Sequence, residues 1–259
     1  MPNFRAYLTP RNLVLAAVLV AAAVGFFLYH NQEEGDRALN AFMADTYGRY
    51  SKKLGYWPNH RDGGIYAHRL CAQEPVELEG QPHLMVAVCG FTPDGASHAQ
   101  AGQVDFYILK RLGNTLHMVH NLRDVDSGSF GQPGDASVVR LGPAFYGFKL
   151  MDGAVGQGVL STTTRLLIPG QEGLTEGLSI QTMVDNEGSG ACKKGSRQCI
   201  QVNRTLTIDD SSAKEGVYPI LVAETGILEG RKVDRKFKVT FNPSQWQYQA
   251  PKGLVLDLD

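Results

Sequence analysis

The chain has 259 residues, of which 43% are hydrophobic and 20% charged; this composition supports a packed core and excludes an intrinsically disordered chain. Glycine, 29 of 259 or about 11%, exceeds the usual ~7% without any three-residue period, which excludes collagen and points to many turns between short strands. A formal net charge of −1 lacks the basic surplus of a general nucleic-acid binder, so no nucleic-acid partner is expected.

Leu13 to Tyr29 is an apolar run of 17 residues without a charge. Thr9 and Pro10 ahead of it suit an N-cap followed by the first helical position. A helix from Pro10 to Tyr29 has 20 residues, which at ~1.5 Å per residue spans about 30 Å, the hydrocarbon thickness of a bilayer. A cleaved signal peptide needs small residues at −3 and −1 after its apolar run. This run ends in Gly25-Phe26-Phe27-Leu28-Tyr29, so residues 13–29 read as an uncleaved signal anchor, with cleavage after Ala23 as the alternative. No cysteine stands directly after the run, which excludes a lipoprotein anchor. Arg5 and Arg11 precede it, and Glu33, Glu34 and Asp36 follow it. The positive-inside rule then leaves residues 1–12 as a cytoplasmic tail and carries the remainder across the membrane. The expected location is the inner membrane, single-pass, with the C-terminal domain in the periplasm.

Residues 30–55 read as an amphipathic helix and linker. Leu39, Phe42, Met43, Tyr47, Tyr50 and Leu54 keep one apolar stripe at 3.6-residue periodicity. Asp36 suits its start, and Lys52, Lys53 and Gly55 suit its end. From residue 56 to 259 the helical period gives way to short runs rich in Val, Ile, Leu, Tyr and Phe, divided by Gly, Pro, Asn and Asp. Strands are predicted near 65–72, 83–92, 103–111, 115–121, 136–141, 144–150, 156–168, 178–184, 199–208, 217–225, 234–241 and 245–249. Leu112-Gly113-Asn114 and Glu229-Gly230-Arg231 read as tight turns. Closely spaced strands with turn signals predict a mainly β chain: a transmembrane helix and a short amphipathic helix, then an antiparallel sandwich or barrel-like domain.

Four cysteines, an even number in a translocated domain, suggest disulfides. Of three connectivities, Cys71–Cys89 and Cys192–Cys199 fit best, because each pair lies on neighbouring strands or across one hairpin loop. Such loops contribute about 3 and 2.5 kcal/mol by chain entropy. With 17 and 6 residues between the members of each pair, the spacing matches no zinc knuckle.

Candidate chemistry is sparse. His117 and His120 fall on a predicted strand, where i and i+3 face opposite ways, so they cannot chelate together without a bulge. The segment 123–135 is the densest polar loop; Asp124, Asp126 and Asp135 offer hard oxygen ligands for Ca2+, but also make ordinary turns, and the closing Glu of an EF-hand is missing. No other cofactor is indicated. Trp57, His60 and Arg61, in the stretch joining helix to sheet, have the residue types of a binding surface and with Asp124, Asp126 and Asp135 make one candidate surface, while Trp57-Pro58 also suits a staple between helix and sheet. Nucleophile motifs are poor, no catalytic residue can be nominated, and the chain does not read as an enzyme. The expectation is a membrane-anchored extracytoplasmic β domain that binds a protein or ligand, as an accessory of an envelope complex or an immunity-type inhibitor. The alternatives are an anchored hydrolase or carbohydrate-active enzyme using dispersed carboxylates such as Asp124, Asp126 and Asp152, or a Ca2+-stabilised domain.

Overall fold

The computed structural model describes residues 37–61, 64–193, 196–211 and 216–254, with the side chains of 59–61 and 64–66 left aside. The cytoplasmic tail and the membrane span expected at residues 13–29 lie outside these residues. Among the described residues no helix is long and apolar enough to cross a membrane.

Four strand pairs close through two-residue turns whose chemistry fixes their register. Glu79-Gly80, Gln157-Gly158 and Glu229-Gly230 have positive φ at both positions, the twist that matches two antiparallel strands. Gly113 alone has positive φ in the Gly113-Asn114 turn, the mirror form with glycine first. Leu78 therefore faces Gln81, Leu112 faces Thr115, Gly156 faces Val159 and Leu228 faces Arg231 across their turns. The strands are β1 (Trp57–Arg61), β2 (Gly64–Leu78), β3 (Gln81–Phe91), β4 (Gly102–Leu112), β5 (Thr115–Ser127), β6 (Asp135–Arg140), β7 (Tyr146–Gly156), β8 (Val159–Pro169), β9 (Leu174–Asp185), β10 (Gln201–Ile208), β11 (Ile220–Leu228), β12 (Arg231–Asn242) and β13 (Gln247–Gln249). All pairings are antiparallel. The first sheet runs β1-β2-β3-β4-β5, and the second runs β13-β12-β11-β10-β9-β8-β7-β6, curled into a half-barrel.

Three apolar layers follow. Met85, Ala87, Val104, Phe106 and Ile108 of the first sheet pack on Phe148, Leu150, Leu167 and Leu174 of the second. Leu166, Ile168, Leu178 and Ile180 point the other way, into the half-barrel, against Ile220, Val222, Val239, Tyr248 and Leu254. On the outer face of the first sheet, Leu84, Val86, Val88, Tyr107 and Leu109 receive the helix α1 (37–47) through Leu39, Met43 and Tyr47. The helix is shorter than the sequence predicts. It stops at Gly48, which takes φ 80° and returns its N–H to Ala44 O at 3.0 Å, the left-handed cap that glycine supplies. Tyr50 and Leu54, assigned to the same stripe, are 42% and 51% exposed in the turn that follows.

Two polar groups are fixed inside these layers. Asp105 on β4 is 3% exposed. The Tyr47 hydroxyl donates to its Oδ2 at 2.6 Å and lies 2.7 Å from the Tyr107 hydroxyl. The Arg123 guanidinium lies 3.6 Å from the same carboxylate. A bulge sets Arg123 and Asp124 opposite Asp105 alone, and there the Asp124 N–H donates to Asp105 Oδ1 at 2.7 Å. In the half-barrel, Glu224 is fully buried and accepts from Arg204 Nε at 2.9 Å and Arg235 Nε at 2.6 Å. Arg204 Nη1 also donates to Gln181 O and Leu254 O at 2.9 and 2.8 Å, tying the C-terminal turn to β9 and β10.

Both groups make predictions. Glu224→Ala strands a buried guanidinium and should cost about 3–5 kcal/mol in urea denaturation. Arg235→Ala should cost markedly less, because Arg204 still neutralises Glu224 and the Arg235 side chain is 39% exposed. Equal losses would contradict this assignment. Burial, then Asp105, raise the Tyr47 hydroxyl far above its ordinary pKa; burial pushes Tyr107 up to about 12 and also raises Tyr248. Above pH ~10 the unfolded phenols ionise while the folded ones stay protonated, so stability should fall with rising pH, by roughly 1.4 kcal/mol per unit for each phenol. Tyr47→Phe should flatten this decline by one such contribution, read from urea midpoints between about pH 8 and about pH 11.

Candidate functional site

The residues singled out by sequence do not form one site. Trp57 is 7% exposed and packs beneath α1, its ring 4.6 Å from that of Tyr50. It is a core residue, not part of a binding surface. The stretch read as a connector is strand β1, paired with β2. His60 and Arg61 belong to that strand, and their side chains lie outside the described residues. Nor is 123–135 one polar loop, because β5 continues to Ser127. Asp124 takes φ 57° at the bulge, Asp126 Oδ1 is 3.5 Å from Gln103 Nε2, and Asp135 opens β6 as an exposed residue. Asp152 serves the backbone instead: it accepts from Gly128 N at 2.5 Å and sits 3.4 Å from Arg165 Nη2. No group of three or more His, Cys, Asp or Glu able to hold a metal occurs among the described residues, so the calcium reading gains no support.

The cysteines pair as expected. Cys71 is the bulged residue between Leu70 and Ala72 on β2 and bonds to Cys89 on β3. Cys192–Cys199 closes the β9–β10 connection, where the Asn186 side chain bonds Gln198 O and Ile200 N at 2.7 and 2.9 Å. The two histidines depart from the alternation expected of a regular strand. His117 pairs with Lys110, Met118 with Leu109 and His120 with Ile108, so Val119 is bulged. That bulge returns His120 to the face of His117.

A different residue, Trp246, stands where two depressions of the molecule meet. β12 ends at Asn242, whose Oδ1 accepts from Ser244 N at 3.0 Å and starts a turn. Asn242 pairs with Gln247, so residues 243–246 form the loop, and Trp246 takes φ 53°. A left-handed conformation at a bulky residue costs about 1–3 kcal/mol and persists only where the surroundings fix it. Here the indole Nε1–H donates to Pro169 O at 2.6 Å. Phe145 and Phe241 meet the ring at near right angles, with centroids 5.9 and 5.5 Å away. The residue nevertheless stays 43% exposed.

Trp246 thereby stands between two depressions. One, of about 300 Å3, opens between the two sheets and is lined by Glu79, His83, His120, Phe145 and Tyr146 among others. The other is an open groove of about 700 Å3 between the β8–β9 turn and the 243–247 loop, lined by Gln171, Glu172, Thr175, Glu176, Gln245 and Gln247. Both volumes lie within the usual range of ligand sites. The sequence signal was a tryptophan in a polar turn, Pro243-Ser244-Gln245-Trp246-Gln247, which propensity alone reads as strand start and loop. No family model, curated protein or solved structure matches the chain.

The chain has two tryptophans, and the structure assigns them opposite environments. Acrylamide should quench the Trp57→Phe variant strongly and the Trp246→Phe variant weakly. Equal quenching constants would contradict the exposed indole.

Proposed function

We propose that the chain is a membrane-tethered, extracytoplasmic binding domain that takes its partner or ligand at the Trp246 end. One observation carries the binding part: a rigidly pinned, half-exposed indole standing between two depressions on a disulfide-braced scaffold. Exposed aromatic anchors beside concave surface are the usual centres of recognition. Two disulfides belong to an oxidising compartment. The apolar run at 13–29 with Arg5 and Arg11 before it supports tethering and outward orientation.

The enzyme alternative finds little to stand on. Arg165 joins two of these residues, lying 3.4 Å from Asp152 Oδ2 and donating to Asp126 O at 2.9 Å, but Asp152 also accepts from Gly128 N, Asp124 sits in a bulge and the Asp126 carboxylate lies near Gln103, so each is engaged in a local structural contact.

The test has two arms in the producing cell. A C-terminal alkaline phosphatase fusion should be active and sediment with the inner membrane; a soluble fusion with four alkylatable thiols would overturn the tether. A diazirine amino acid at position 246 should give an adduct under light. The same probe at Val155, 63% exposed on β7, should not. Equal labelling at both positions, or none at 246, would overturn the binding end.

A further inference from the structure

The groove on the β9 side of Trp246 has a defined chemistry. Gln171, Glu172, Thr175, Glu176 and Gln247 line it, are exposed, and make no side-chain hydrogen bond or ion pair with other described residues. Among the described residues no Lys or Arg lines the groove. These exposed amides, carboxylates and hydroxyl turn their donors and acceptors to solvent beside a pinned aromatic ring, where a hydrogen-bonding ligand can take the place of water.

We infer that this groove is a binding subsite for a neutral glycan, with one sugar ring stacked on Trp246 and its hydroxyls held by Glu172, Glu176 and the flanking glutamines. The inference rests on Trp246 marking the binding end and names the ligand class. A pyranose presents a face of C–H groups with slight positive character, which complements the negative face of an indole. Its vicinal hydroxyls match the two oxygens of a carboxylate and the donor–acceptor pair of an amide. Two carboxylates with no cation among the described lining residues disfavour uronic acids, phosphates and sulfates.

Rival ligands fit less well. A quaternary ammonium is held by an aromatic cage, whereas Phe145 and Phe241 belong partly to the half-barrel core and buttress the indole from within. A proline-rich peptide docks in aromatic-lined apolar grooves, whereas this lining is mostly Gln, Glu, Ser and Thr.

The experiment uses the full chain carrying Trp57→Phe, in a detergent without a sugar headgroup, so that Trp246 is the only indole. It is titrated with chitohexaose, cellohexaose, maltohexaose and mannohexaose, and separately with polygalacturonate, phosphorylcholine and decaproline. At least one neutral hexasaccharide should shift the emission saturably, with a Kd on the order of 1 mM or tighter. Polygalacturonate should bind at least about tenfold more weakly, and gain that factor back in the Glu172→Gln, Glu176→Gln double variant, which removes the repulsion. In the chain that keeps Trp57, Trp246→Ala should lose the glycan by calorimetry while the Trp57 emission holds, and Trp246→Tyr should retain weakened binding. Because Glu176 is exposed, Glu176→Ala gives a second check, expected to weaken binding about fivefold by loss of a charged hydrogen-bond acceptor. Silence from all four hexasaccharides, a preference for polygalacturonate, phosphorylcholine or decaproline, or undiminished binding by Trp246→Ala would overturn the glycan assignment. If the glycans fail while the diazirine at 246 still gives its specific adduct, the binding end stands and only the ligand class falls; if both fail, both fall.

Discussion

Strands β3 and β4 are buried on both faces, and the rest of the molecule is arranged to keep them so. One face meets the second sheet through Phe106 and Phe148, whose rings lie 4.9 Å apart. The other is covered by α1, whose described part is 11 residues; a helical stretch of that length is marginal in water without such packing. Burying Leu39, Met43 and Tyr47 supplies roughly 1.5–3 kcal/mol per side chain. Non-directional burial would not by itself fix the helix in one register. The Tyr47 hydroxyl does, because a buried phenol that slips from Asp105 loses its acceptor and leaves a carboxylate short of donors. Tyr107, the Asp124 N–H and the Arg123 guanidinium complete the shell around that carboxylate.

The half-barrel uses the same device at its far wall. Glu224 on β11 is flanked by Arg204 on β10 and Arg235 on β12, so one carboxylate spans three strands. Hydrophobic replacement of such a group is often neutral for stability. Its value here is positional: Arg204 also reaches Leu254 O, and Leu254 closes the barrel interior. That closure holds the layer in which Tyr248, Phe241 and Phe145 support Trp246.

Much of this was legible because turns and alternation are local. Gly113-Asn114 and Glu229-Gly230 announce hairpins whatever surrounds them, and the strands between them follow from period-2 patterning. Cys71–Cys89 was legible as a cross-strand pair, although the bulge that places Cys71 was not. What escaped depends on tertiary context. Gly48 rather than Gly55 ends the helix, because both glycines suit a cap and only the packing of Tyr47 decides between them. Trp57-Pro58 reads as a connector because proline is rare in strands, yet β1 is an edge strand, where a missing N–H is tolerated. The bulges at Val119 and Arg123-Asp124 leave no sequence mark, so the faces of His120 and Asp124 could not be assigned. The Trp246 site was invisible for a similar reason: its walls come from turns some 70 residues apart, Gly170–Gly173 and Pro243–Gln247.

The two tryptophans show why the second one matters. Hydrophobic burial treats both alike, and Trp57 follows it into the core at 7% exposure. Trp246 does not. With 43% of the residue accessible, it leaves up to about 100 Å2 wet, at most roughly 2.5 kcal/mol of burial forgone. A left-handed backbone adds about 1–3 kcal/mol of strain at the same residue. A surface loop under no constraint but stability has no reason to keep both costs, and glycine or asparagine at 246 would remove them. The indole is nonetheless held in place by its bond to Pro169 O and by two supporting rings. An arrangement that fixes an exposed ring so firmly lowers the ordering entropy of whatever covers it, and covering it recovers the burial that folding left undone.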